Sequence, residues 1–173
     1  RRSCCCSAGD AVPLTLSPAI LDWLQSDALE YRDLVLRTNL NRAYTVSLGA
    51  WFFVFNIADP ANLSIPAKLR DVTAFSGANS VDTLGTTKCV TGSNTNGISV
   101  VDTAGDVVTI TSTLANPSGG SFPNALQGCT DVKVVDDRWL YVAAPTANAI
   151  GVVDLLDPAT PAIVAKVTHA NIA

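Results

Sequence analysis

The sequence predicts an all-β fold of antiparallel β-propeller-like blades, about three four-stranded repeats behind a short N-terminal helical segment and an extended arm. Three observations carry this. An apolar run ending in Asn or Asp recurs at Trp51–Asn56, Ile98–Asp102 and Ile150–Asp154. Its anchors, Asn56, Asp102 and Asp154, are separated by 46 and then 52 residues. That is close to the about 40–50 residues of one propeller blade. Val, Ile and Phe in these runs suit pleated, mostly buried strands.

The elements follow in order. Residues 1–16 form the arm, in which Val12, Leu14 and Leu16 alternate and could add a strand to a neighbour. Residues 17–33 read as helical. Ser17 is an N-cap, Pro18 suits the first turn, and Ile20, Trp23, Leu24, Ala28 and Tyr31 repeat at helical spacing. Residues 34–173 hold the repeats, approximately 34–75, 76–122 and 123–173. Strands are expected at Leu34–Leu36, Val81–Leu84, Cys89–Val90, Ile98–Val101, Val132–Val135, Leu140–Ala143, Ile150–Val153 and Ile163–Val167. Ala43, Cys89 and Tyr141 each lie thirteen residues before an anchor and read as equivalent positions. Thr109 to Ser121 is rich in Ser, Thr, Gly and Pro and reads as a loop between blades, or as a site of O-linked sugar. A barrel or sandwich built from the same repeats is the alternative architecture.

The recurring phrase has a local chemistry. A carboxylate or amide at a strand end, as at Asn56 or Asp154, accepts hydrogen bonds from N–H groups of the next turn. Asp59-Pro60 and Asp157-Pro158 then fix a tight turn, because proline pre-sets its φ. Asn96-Gly97 is a hairpin signal.

Tyr141, Val142, Ile150, Val152, Val153, Asp154, Asp157, Pro158 and Pro161 together resemble the LVIVD repeat, a β-propeller blade family. The copy at Phe53 to Pro66 has Asn56 in place of the Asp. The middle copy has Gly105-Asp106 where the Asp-Pro turn would stand. The resemblance spans roughly residues 34 to 173. It implies a secreted or surface-associated protein, usually without an assigned reaction.

Composition points the same way. Hydrophobic residues make up 48% of the chain and charged residues only 15%, with a net charge of −4. No basic run follows Arg1-Arg2, so no nucleic-acid partner is expected. No apolar stretch reaches the about 18 residues of a membrane span. The chain begins with Arg, which suggests processing or truncation and fits removal of an upstream signal peptide. Asn62-Leu63-Ser64 is a sequon, making Asn62 a glycosylation candidate.

Five cysteines make an odd count. Cys89 and Cys129 are expected to pair as a disulfide, with buried free thiols as the alternative. Cys4, Cys5 and Cys6 are candidates for cross-links, with at least one oxidised, or else form an oxidisable tail. They lack the Cys-x-x-Cys spacing of a metal site.

The search for catalysis is mostly empty. The single histidine, His169, is the fifth residue from the end. No P-loop or dinucleotide fingerprint is present. Asp136-Asp137 reads as a solvated hairpin turn, with chemistry or calcium as the sharper reading. Asp102 and Asp106, with Asn94 and Asn96, could hold structural calcium, but no complete ligand loop is visible. No catalytic residue, no metal ligand and no cofactor are therefore expected.

Three blades leave open edges, and closed propellers have about 4–8 blades. The expectation is a non-enzymatic, extracellular structural protein that self-assembles, its edges completed by neighbouring copies in a surface layer, filament or adhesion component. The partners are then a homo-oligomer or polymer, or the rest of a larger propeller, with a glycan as a further candidate. The alternatives are a ligand- or glycan-binding segment of a larger secreted propeller and a fragment of a propeller enzyme.

Overall fold

A computed structural model describes residues 30–59, 61–95 and 97–168. It shows three four-stranded antiparallel sheets, each a simple up-and-down meander. The first blade is β1 (Tyr31–Arg37), β2 (Arg42–Ser47), β3 (Trp51–Asn56) and β4 (Ser64–Arg70). The second is β5 (Ala78–Leu84), β6 (Lys88–Ser93), β7 (Gly97–Asp102) and β8 (Thr109–Leu114). The third is β9 (Asp131–Val135), β10 (Trp139–Ala144), β11 (Ala149–Asp154) and β12 (Ala162–Thr168). Short 3-10 turns lie at Thr38–Leu40 and Pro145–Ala147. The first strands of the blades lie together: β5 packs against β1 on one side and β9 on the other. The last strand of each blade is its outer rim.

Alternation along the strands decides which blade each residue meets. In the second blade Val81, Cys89 and Val101 face the first blade, joining Tyr44, Val46, Phe52, Val54 and Phe75. Their neighbours Leu84, Val90, Ile98 and Val100 face the third blade, joining Val132, Leu140, Val142 and Val153. The middle sheet is therefore buried on both faces, which accounts for the near-continuous apolar run Ile98–Val101. Burying each such side chain stabilises the fold by about 1.5–3 kcal/mol.

The repeat is also visible as an irregularity. Pairing slips between Val54 and Asn56, between Val100 and Val101, and between Val152 and Val153. Each slip bulges the rim strand just before the Asn or Asp anchor. In the first blade the slip falls at Ile65–Pro66, where proline's missing N–H costs least.

All the strands expected from the sequence are present. Four readings change. Tyr31 to Asp33 belong to β1 rather than to a helix, since pairing with β2 outweighs local helical spacing. Residues 17–29 lie outside the described residues. Thr109–Leu114 is strand β8, not loop: its β-branched residues complete the second blade against β7. Asn56, Asp102 and Asp154 stand opposite Arg42, Lys88 and Trp139. Leu140, not Tyr141, is therefore the equivalent of Ala43 and Cys89, because the Pro145–Ala147 turn adds one residue to the third blade's inner connection.

The fourth change is the disulfide. Cys89 and Cys129 are free and buried. Cys89 points toward the first blade. Cys129 packs between the second and third. The second sheet stands between them. Burial pushes both thiols up to about 12. Cys4, Cys5 and Cys6 lie outside the described residues.

Candidate functional site

The inner strands carry the first polar constellation. Each has one edge without a sheet partner, so its N–H groups need other acceptors. Asp33 Oδ2 accepts from Val81 N at 2.9 Å and lies 2.8 Å from Ser80 Oγ, while Asp33 Oδ1 accepts from Leu34 N. Asp82 Oδ2 accepts from Val134 N at 2.8 Å and pairs with Lys133 Nζ at 2.8 Å, and its Oδ1 accepts from Thr83 N. Asp131 Oδ1 accepts from Val132 N and lies 2.8 Å from Ser80 Oγ. Ser80 has one hydroxyl proton, so it serves one of the two carboxylates at a time. The carboxylates thus stitch blade to blade.

A second set stitches the hairpin ends. Arg37, only 7% exposed, donates to the carbonyls of Gly85, Thr86 and Lys88 at 2.7–2.9 Å. Gly85 N donates in turn to Asp137 Oδ1 at 2.8 Å. Asp136 and Asp137 both have positive φ and are the central residues of the turn between β9 and β10, closed by Arg138 N donating to Val135 O. This is the hairpin turn expected from the sequence, with its carboxylate used between blades.

The anchors do as their chemistry predicts. Asn56 Oδ1, Asp102 Oδ1 and Asp154 Oδ1 each accept from the N–H two residues on, at Ala58, Ala104 and Leu156. Asp59 and Asp157 do the same to Ala61 and Ala159. Asp102 also pairs with Lys88 at 2.8 Å, and Asp154 with Arg138 at 2.8 Å. These cations hold both carboxylates below their ordinary range. Asp106 faces Arg42 rather than Asp102. Among the described residues no group of three or more His, Cys, Asp or Glu could hold a metal ion. Asn62 is exposed in its turn. Asn96 and His169 lie outside the described residues.

Hollows complete the picture, among them one of about 380 Å³ between the first and second blades beside Arg42, Tyr44, Thr103 and Asp106. A second, of about 240 Å³ between the second blade and the β4–β5 connection, is lined by Thr73, Thr95, Ser99, Thr113, Ala115 and Asn116. Another, of about 140 Å³, lies on the outer face of the third blade beside Tyr141, Ala143 and Ile150. Sequence reasoning missed Asp33, Ser80, Asp82 and Asp131, and it missed Arg37. The signal was there in β5, where Ser80 and Asp82 stand at alternate positions of one strand and are both buried. Among the described residues no helix is long and apolar enough to cross a membrane.

No family model and no curated protein matches the chain. Solved structures do. A protein from Lactobacillus plantarum aligns with a TM-score of 0.66 at 16% identity, over 81% of this chain and 42% of its own length. A putative 6-phosphogluconolactonase from Bacteroides fragilis aligns with a TM-score of 0.64 at 15% identity, over 80% of this chain and 39% of its own length. The chain thus spans about two fifths of either structure. These likenesses overturn the expectation of an extracellular, self-assembling structural protein. The neighbours are propeller-type proteins, one of them named as an enzyme, and nothing supports the structural role. The physical reason is that the blades pack face to face, while the strand edges read as sticky form the separate outer rims. At this identity the likeness shows the fold alone, and that fold is a run of β-propeller blades.

Proposed function

We propose that this chain serves as a block of three consecutive blades in a larger ring-closed β-propeller, helping to wall its axial channel. One observation carries the reading. Tyr44, Phe52 and Val54 pack the first blade onto the second. Val90, Ile98 and Val100 pack the second onto the third. The register places Tyr141, Ile150 and Val152 at the same positions in the third blade. There Tyr141 and Ile150 are 43% and 44% exposed, with Val135 and Val167 beside them. A face built for the next blade thus stands open, and exposed apolar faces of this kind mark a docking surface.

The coverage of about two fifths of each similar structure supports the same reading. The reading assigns no reaction to these blades. The carboxylates of Asp33, Asp82 and Asp131 are engaged by backbone amides, a serine and a lysine, and among the described residues no histidine accompanies them.

Hydroxyl-radical footprinting of the native material tests this. Tyr141 is expected to be protected at least about tenfold in the native protein relative to the isolated 173-residue chain. Equal modification of Tyr141 in both would overturn it.

A further inference from the structure

We propose that the cleft between the second blade and the β4–β5 connection binds a small, neutral, hydroxylated molecule of the polyol or monosaccharide class. The inference concerns one blade and the connection leading into it, both present here, so it stands or falls independently of ring closure.

The lining sets the class. The cleft measures about 240 Å³, below the about 300–1,000 Å³ typical of drug-sized ligands. Thr73, Thr95, Ser99, Thr113 and Asn116 supply hydroxyls and an amide, and no charged side chain lines it. The Asp71 carboxylate is held beside it by the N–H groups of Thr73 and Ala74. A negative charge there disfavours an anion.

The hydrogen-bond inventory leaves both donors and acceptors. Ser99 Oγ donates to Ala74 O at 3.1 Å, and Thr95 Oγ1 donates to Ser76 O at 2.5 Å. Each hydroxyl keeps lone pairs to accept with. Asn116 Oδ1 accepts from Leu126 N at 3.0 Å, which fixes the amide and leaves its NH₂ to donate. A ligand hydroxyl, which gives and takes one bond at a time, matches such a mixture.

A second observation lies beneath. Thr91, Ser99 and Thr113 are cross-strand partners in one row over β6, β7 and β8. Ser99 and Thr113 line the cleft. Thr91 is fully buried, and its hydroxyl has no hydrogen-bond partner. A buried hydroxyl left so costs about 1–3 kcal/mol. An all-apolar row would avoid that cost, so a polar row running out to a cleft requires an explanation. Ser99 and Thr113, at its cleft end, are the members of the row that a polar ligand would meet; Thr91 stays beneath them.

Saturation-transfer NMR and calorimetry on the whole chain test the proposal, with myo-inositol as the neutral probe and myo-inositol 1-phosphate as its charged counterpart. Inositol is expected to bind, with the phosphate ester at least about fivefold weaker. Thr113→Val removes an exposed hydroxyl. Asn116→Asp keeps the acceptor for Leu126 N and removes the donors. Each is expected to weaken inositol binding about tenfold, the equivalent of one lost hydrogen bond, with an unchanged circular dichroism spectrum. Thr113→Ser should restore binding. Absence of saturation transfer to inositol, tighter binding of the phosphate ester, or unchanged affinity in both folded variants would overturn the proposal.

Discussion

Gly92 on β6 leaves open the space that Cys129 fills: a Cβ at Gly92 would stand 2.5 Å from Cys129 Sγ and 2.7 Å from Val132 Cγ1. There the second blade, having no side chain, makes room for Cys129 and for Val132 of the third.

Gly92→Ala should therefore destabilise the chain, though alanine suits a strand better than glycine does. The methyl group meets atoms buried among packed strands, and overpacking of this kind costs about 1–3 kcal/mol. Urea unfolding of the variant against the parent measures it. An unchanged midpoint would mean that the blades separate easily.

Cys89 and Cys129 should behave as inert thiols. At pH 8 both are protonated, because burial lifts each to about 12, and the thiolate is the reactive form. Ellman's reagent is expected to leave both untouched in native protein and to titrate both in denaturant. Peptide mapping without reductant should find no Cys89–Cys129 link.

Arg37→Ala should cost about 2–4 kcal/mol, since the guanidinium serves three carbonyls of the β5–β6 turn and its loss leaves them wanting donors. Arg37→Lys should recover only part of this, because an ammonium cannot span the same fork. Hydrogen exchange at Gly85 and Thr86 would show the turn loosening first.

Acid should release the Lys88–Asp102 and Arg138–Asp154 pairs. Hydrogen bonds from these cations depress both carboxylates in the folded chain. Their contribution is therefore complete above the unfolded carboxylate value of about 3.9 and is lost as pH falls through the lower folded value. Carboxyl ¹³C shifts of Asp102 and Asp154 followed below pH 5 should titrate below those of an unpaired aspartate. A midpoint at or above the ordinary value would contradict the pairing.

The blades were legible in the sequence because their strands carry the signal twice, in β-branched content and in the spacing of Asn56, Asp102 and Asp154. Strand β8 was hidden because Thr109–Leu114 offers little apolar alternation: its partner β7 supplies the burial and β8 itself stays half-exposed. Tyr31 was misplaced because helical spacing is a local property, whereas β1 forms through pairing with β2. The disulfide failed for a similar reason. Whether two cysteines meet depends on which face of a sheet each occupies, and a one-residue step from Cys89 to Val90 changes that face. The polar residues of the inner strands escaped notice because their partners are some 47 to 52 residues away in the chain.

The bulges on the rims bear on solubility. A strand edge templates fibrils only where a flat run of unpaired amides lets an incoming chain zip alongside. Each rim here is kinked at the same level, opposite Val54, Val100 and Val152. The first rim adds Pro66 and Lys68, and the third adds Lys166. An aggregating strand would lose register at that kink on every blade, so the perimeter of the molecule resists cross-β growth while its blade faces remain adhesive.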